Sequence, residues 1–255
     1  MAKTLFFWYY LIMTELETLT YLAGSVDEKI KLLYTLTDKD KLLEVLELVK
    51  KSADKQSVRY AKLYLILNPN LPEGIISNSE FKTFAKDLKD SEVSMLVSYS
   101  KDNKPIPSET FQLFFEVYGN LLSTNKEVEK PTSFHLPYYI KNKTEFGWLN
   151  LLTKFVQHKD LDVNLLRPLE NLLLEKNKGL LRSLLPYILK VSNNPDFLNH
   201  YLVKLQKDQA TNYTQHHLVA NPHLSNEQIL FLEKEFILKP KQKKTLKNHP
   251  NRKAI

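Results

Sequence analysis

The chain has 255 residues, enough for one large domain or two small ones, and its 43% apolar residues can form a substantial core. It contains no cysteine, which excludes disulfides, thiolate metal sites and cysteine nucleophiles and fits a reducing cytoplasm. The net charge of +7 is local, because residues 201–255 carry 10 basic and 4 acidic side chains. Glycine occurs only 5 times, which favours helices over all-β folds that need glycine in their turns.

The first apolar stretch, Leu5–Met13, is nine residues long and uncharged. A helix needs about 20 residues to span a bilayer, so this stretch is too short to do so. We expect a buried first helix or a protein interface rather than an export signal. Alternatively, Met13 is the natural start and residues 1–12 have no role. The aromatic residues of the predicted interface are Phe6, Phe7, Trp8, Tyr9 and Tyr10.

Apolar residues recur with helical periodicity along most of the chain, and the alternation typical of strands is nearly absent. In residues 38–51 a broad apolar stripe follows Asp38, which is placed as the N-cap. The sequence therefore predicts an all-α fold. The predicted helices cover 26–36, 38–51, 57–67, 79–88, 91–99, 108–122, 145–156, 162–174, 179–191, 195–205, 212–220 and 225–237.

Several connections place proline after an apolar helical run, as in Asn68-Pro69, Asn194-Pro195, Asn221-Pro222 and His249-Pro250. Proline cannot continue the preceding helix but suits the first turn of the next one. Pro195, Pro222 and Pro250 of these connections are spaced by 27 and 28 residues. Such spacings are typical of stacked short helical repeats.

Residues 218–225 (LVANPHLS), with further apolar residues downstream, resemble the variant leucine-rich repeat. Residues 58–72, followed by 84–87 and 93–97, resemble the same motif with insertions. The resemblance covers about 57–100 and 212–251. It implies an irregular right-handed helical-repeat solenoid, similar to HEAT and armadillo arrays. Spacing is irregular, and the cysteine cluster of some family members has no counterpart here.

Residues 123–143 interrupt the helical pattern with a polar, proline-containing segment around Phe134, Tyr138 and Tyr139. The segment predicts a mobile linker with a docked aromatic tip, or a functional loop. It would separate an N-terminal helical-repeat lobe, 1–122, from a C-terminal lobe, 144–255, that ends in a basic tail.

No catalytic motif is present: there is no glycine-rich phosphate loop, nucleophile elbow or H-E-x-x-H. We therefore predict no catalytic, cofactor-binding or metal-ligating residue. His216 and His217 point about 100° apart on a helix, which disfavours shared metal ligation with His223. Asp162, in the sequence HKDLD, is better explained as a helix cap than as a metal ligand.

The basic tail contains seven cations and no acid, and it could bind nucleic-acid phosphates or an acidic protein. It could equally be the solvated end of the last repeat. No aromatic residue interleaves the tail, so base stacking is not indicated. Only 4 of the 36 basic residues are arginine, which argues against bidentate base reading. The candidate residues are Lys239, Lys241, Lys243, Lys244, Lys247, Arg252 and Lys253.

A second aromatic group has helical spacing, which predicts that its side chains are buried in the core: Phe111, Phe114, Phe115 and Tyr118.

The leading hypothesis is a non-enzymatic, cytoplasmic protein that binds another protein through a helical-repeat surface. The alternative is a nucleic-acid-binding protein that uses the C-terminal repeat and its basic tail.

Overall fold

The computed structural model describes residues 26–52, 54–71, 74–76, 78–101, 104–124, 143–175, 179–207 and 212–253. All regular structure in these ranges is helical, which confirms the all-α prediction. The predicted aromatic interface at Phe6–Tyr10 and most of the predicted linker lie outside the described residues. None of the described helices is long and apolar enough to cross a membrane.

The described part of the chain forms thirteen α-helices, and two 3-10 helices, Val163–Leu166 and Gly179–Leu184, precede α8 and α9. The α-helices are α1 (Val26–Thr35), α2 (Lys39–Ser52), α3 (Lys55–Ile66), α4 (Ser79–Lys86), α5 (Asp90–Lys101), α6 (Ser108–Thr124), α7 (Lys143–Val156), α8 (Arg167–Glu175), α9 (Leu185–Val191), α10 (Pro195–Lys207), α11 (Asn212–Val219), α12 (Asn226–Glu235) and α13 (Pro240–Lys247).

Side-chain caps explain where several helices begin. Asp38 accepts hydrogen bonds from two backbone N–H groups at the start of α2, as predicted. Asp162 caps the first 3-10 helix through the N–H of Asn164 at 2.9 Å, which confirms its predicted role as a cap. Helix α3 begins two residues earlier than predicted, because Asp54 rather than Ser57 is its N-cap. Each cap satisfies N–H groups that have no partner within the helix.

Helix α13 is not among the predicted helices, because its lysine-rich sequence predicts a basic tail. Its eight residues contain one large apolar side chain, Leu246, which is fully buried. Gln242 is also buried, and its side chain accepts a hydrogen bond from the N–H of Lys239 at 2.8 Å. Pro240 stands in the first turn, where its missing N–H costs nothing.

The described residues divide into two compact units. The first comprises α1 to α4 up to Phe84, together with Pro105–Thr110. Helix α1 packs on α2 and α3 around buried Leu33. Glu80 of α4 accepts ion pairs from Lys50 at 3.2 Å and Lys62 at 2.9 Å, which link α4 to α2 and α3.

The second unit comprises Ala85–Lys104 and the described residues from Phe111 onward. Helices in it pack on helices two positions away along the chain. One row contains α5, α7, α9, α11 and α13, in which each helix packs on the next. The other row contains α6, α8, α10 and α12, in which α10 packs on α12. Helix α6 lies so close to α8 that a Cβ added to Gly119 would be 2.7 Å from the side chain of Leu169. Tyr201 of α10 donates a hydrogen bond to the carbonyl of Leu173 in α8. We call these the first and second rows.

The predicted aromatic core of α6 is confirmed, and all four rings are at least 99% buried. Phe111 contacts Phe155 of α7 edge-on, with ring centroids 5.1 Å apart. Tyr118 stacks on Trp148 and donates its hydroxyl hydrogen to the carbonyl of Ala85 at 3.0 Å. Burying one such ring contributes about 1.5–3 kcal/mol to stability. The described residues on either side of the predicted linker, 111–122 and those from 144 onward, both belong to this unit. The linker itself falls mostly outside the described residues, so the two-lobe division stays a prediction.

Candidate binding surfaces

Four helix ends share one hydrogen-bond pattern. The residue at each end, Asn68, His158, Asn221 or His249, is at least 92% buried, and we call these four the corner residues. The N–H of each donates to the carbonyl three residues earlier. The side chain of each accepts a hydrogen bond from the N–H two residues later, at 2.8 and 2.6 Å for the asparagines and 3.3 and 3.2 Å for the histidines. The described part of the chain therefore makes the same turn four times.

The two corner asparagines also join neighbouring helices. The side-chain amide of Asn68 donates to the carbonyls of Leu33 and Leu36, at 2.9 and 2.8 Å. The amide of Asn221 donates to those of Leu189 and Ser192, at 2.7 and 2.8 Å. Carbonyls at a helix C-terminus have no partner within the helix, so each asparagine satisfies two of them. In both units the corner asparagine thus ties its own helix to the one two positions earlier.

His249 makes the equivalent connection between the end of α13 and the end of α11. Its Nδ1 accepts the N–H of Asn251, so the proton is carried by Nε2, which donates to the carbonyl of Asn221 at 2.8 Å. His158 also accepts through Nδ1, and burial lowers its pKa, which favours the neutral ring. An Asn-Pro or His-Pro dipeptide marks three of the four corners in the sequence. It misses His158, because Lys159 stands where the other corners have proline.

The Asn194-Pro195 connection is built differently from the corners. Asn194 donates its amide to the buried carboxylate of Glu170 at 2.8 Å, and Ser192 donates its hydroxyl to the same group at 2.6 Å. Arg167 pairs with that carboxylate at 2.8 Å. Three donors thus compensate a buried charge that would otherwise be costly. This network fixes the connection between α9 and α10 to α8, so we assign it a structural role.

An open groove of about 450 Å³ lies between α10 and α12. The two helices run in parallel, since Gln228 donates to Asn199 at 2.7 Å near their starts and Gln206 donates to Glu235 at 2.8 Å near their ends. The groove carries exposed apolar surface, with Val203 46% exposed. The sequence does not reveal it, because its walls come from residues almost 30 positions apart. The lining residues are Pro195, Asn199, Leu202, Val203, Ser225, Glu227, Gln228 and Phe231.

The structure places the predicted basic tail mainly on α13. Four lysines there, Lys241, Lys243, Lys244 and Lys247, are exposed and cover an arc of about 160° opposite buried Leu246. Lys239 and Lys253 flank the helix and are also exposed. Arg252 differs, since it pairs with Glu233 of α12 at 2.8 Å. Six of the seven predicted cations therefore face solvent.

An aromatic cluster lies beside this helix in the first row. Tyr213 of α11 donates a hydrogen bond from its hydroxyl to the hydroxyl oxygen of Tyr187 in α9 at 3.0 Å, and the centroid of its ring lies 4.5 Å from that of His217. Burial, with the hydrogen bond to Tyr187, raises the pKa of Tyr213 to about 12. Burial lowers the pKa of His217, assisted by the nearby charges of His216 and Lys190. The tyrosine is therefore neutral near pH 7 and the neutral imidazole is favoured.

Within the described residues, no group of three or more histidine, aspartate or glutamate side chains could hold a metal ion. His216 and His223 are exposed, and the Nδ1 of His217 lies 3.0 Å from the carbonyl of Tyr213. Comparison of the chain with models of protein families, with curated proteins and with solved structures gave no match. The groove and the exposed side of α9, α11 and α13 are the candidate binding surfaces among the described residues.

Proposed function

We propose that this chain is a non-enzymatic, cytoplasmic helical-repeat protein that binds another protein through the groove between α10 and α12. The proposed architecture is an irregular right-handed solenoid of the variant leucine-rich or HEAT-like kind. Support for repetition comes from the recurring corner pattern and from the packing of helices two positions apart. In the second unit, hydrogen bonds between stacked helices join residues mostly 26 to 29 positions apart. That interval agrees with a short two-helix repeat.

The groove carries the functional part of the proposal. Repeat proteins bind partners over surfaces between stacked helices and need no catalytic group for it. Leu202 and Phe231 form apolar walls, and Val203 leaves nearly half of its surface in water. An apolar side chain from a partner would remove this surface from water, which contributes about 25 cal/mol per Å² buried.

The negative charge of Glu227 at the groove favours a partner that also carries a positively charged side chain. Glu227 lines the groove and is exposed. Its own N–H and the hydroxyl of Ser225 lower its pKa, so its carboxylate is ionised at neutral pH. We therefore propose an occupant that combines a large apolar side chain with a lysine or arginine nearby, in one extended or helical segment of another protein.

The test is selection of peptides from a displayed library with the full chain as the target. The enriched sequences show which side chains the groove binds, so no partner needs to be known beforehand. We expect enriched peptides to share a large apolar residue with a lysine or arginine within one helical turn. Val203→Glu should abolish their binding, because it places a charge on the apolar wall. Leu43→Glu is the matched control, since Leu43 is 39% exposed but lies in the first unit. Failure to enrich such peptides, or undiminished binding to Val203→Glu, would contradict the proposal.

A further inference from the structure

The exposed side of α9, α11 and α13 differs in charge from the rest of the second unit. None of these three helices contains an aspartate or glutamate. The helices of the second row beside them, α10 and α12, carry Asp196, Glu227, Glu233 and Glu235. Among α9–α13, these three helices therefore hold cations with no acidic residue, namely Lys190 on α9 and the four exposed lysines of α13.

The three helices run in parallel, so residues at matching positions along them lie side by side. Near their starts, Tyr213 of α11 meets Tyr187 of α9. Just beyond their ends, Asn221 binds the carbonyl of Ser192, and His249 binds that of Asn221. Consecutive members of the row also pack on each other. Their exposed residues consequently lie on one side of the row, at helix spacings of about 8–10 Å.

This side combines rings with cations. Tyr213 is 40% exposed, and Tyr187 and His217 are half-buried. Tyrosine hydrogen bonding and edge-on contacts hold the three rings in place. Bases of single strands stack on partly exposed aromatic rings, and neighbouring cations meet the backbone phosphates. The basic tail has no aromatic residue in its own sequence, and the fold supplies the rings from the two neighbouring helices.

From this geometry we infer that the exposed side of α9, α11 and α13 binds single-stranded nucleic acid, with Tyr213 stacking on a base and Lys241 and Lys244 contacting phosphates. Lysines give charge without bidentate base reading, so recognition depends little on sequence. An acidic protein surface would use the lysines but would have no need of the rings. This surface is separate from the groove, so either site can exist without the other.

The test is fluorescence anisotropy of the full chain with a labelled single strand of about 20 nucleotides, the matching duplex, and a poly-glutamate peptide. If Lys241 and Lys244 each neutralise one phosphate, affinity for the single strand falls about sevenfold between about 50 and 200 mM salt, because each phosphate adds about 0.7 to the logarithmic slope. In Lys241→Gln/Lys244→Gln this dependence should almost disappear. Lys89→Gln/Lys234→Gln, which removes two exposed lysines elsewhere in the unit, should keep the original dependence.

The contribution of the rings is tested separately. Tyr213→Ala should weaken single-strand binding about fivefold or more without changing the salt slope. Tyr213→Phe should retain binding, since it keeps the ring. Tyr60→Ala is the control, because Tyr60 is 41% exposed in the first unit.

Three outcomes would overturn the inference. These are no single-strand binding at low salt, binding that Tyr213→Ala leaves unchanged, and tighter binding to the duplex or to poly-glutamate. The last would assign the face to duplex phosphates or to an acidic protein instead. Variants of the groove at Val203 should leave the anisotropy unchanged, so failure of one site does not affect the conclusion about the other.

Discussion

Replacing Asn221 by alanine tests whether the corner residue holds the first row together. The change removes two hydrogen bonds to the buried carbonyls of Leu189 and Ser192, and a third from the N–H of His223. A buried hydrogen bond contributes about 1 kcal/mol net, and a carbonyl left without a partner costs about 1–3 kcal/mol. We therefore expect the free energy of unfolding of the second unit to fall by about 3–4 kcal/mol.

The assay is urea unfolding followed by the fluorescence of Trp148, which lies in the second unit. The chain has two tryptophans, so a Trp8→Phe background makes the signal specific. Asn248→Ala is the matched control, because Asn248 is exposed and stands one residue before the corner residue His249. Its effect should stay within about 0.5 kcal/mol. A loss below about 1 kcal/mol in Asn221→Ala, or one equal to that of the control, would refute the role assigned to Asn221.

Three further changes test other parts of the second unit. Glu170→Gln places an amide donor among the three donors that contact this buried carboxylate, so urea unfolding should show a loss of about 2–4 kcal/mol, whereas exposed Glu175→Gln should show almost none. Gly119→Ala brings a Cβ within 2.7 Å of Leu169 and 3.2 Å of Leu172. Although alanine normally favours a helix, this overpacking should lower the free energy of unfolding by about 1–3 kcal/mol. A gain in melting temperature would contradict this expectation. Burial holds the pKa of His158 below its ordinary 6.5, so as the pH falls the unfolded chain binds a proton at this residue before the folded chain does. The stability that His158 contributes above about pH 6.5 is therefore lost below that pH. The urea midpoint of unfolding should therefore drop between about pH 7.5 and 5.5. His158→Asn keeps an acceptor for the N–H of Asp160 and should reduce this drop. An equal drop in both proteins would contradict the assignment of the pH dependence to His158.

Sequence periodicity predicts most helices well because their stability comes from one continuous apolar stripe. Helix α1 agrees with the predicted 26–36 to within one residue, and α10 begins at the predicted Pro195. Helix α13 carries too little apolar surface to form such a stripe. It is stabilised by buried Leu246 and by contacts with α11 and α12, which periodicity does not reveal.

The candidate surfaces are less predictable than the helices. The groove pairs Val203 with Phe231, and the aromatic cluster pairs Tyr187 with Tyr213, and both pairs are separated by more than 25 positions. Predicting such pairs requires the register between stacked helices. The corner residues set that register in the first row, and the spacing of their prolines is the only sign of it in the sequence. His158 shows the limit of that sign, because its turn has no proline.

The stacking of α10 on α12 underlies both the groove and the proposed repeat, and cross-linking measures it directly. The chain has no cysteine, so two can be introduced without competition. Gln206→Cys/Glu235→Cys replaces two side chains that hydrogen bond at 2.8 Å, and a short bifunctional thiol reagent should join them in the folded protein. Gln206→Cys/Glu227→Cys moves one thiol about 12 Å along α12 and should not be joined. Cross-linking of the second pair in preference to the first would contradict the parallel register and, with it, the proposed binding groove.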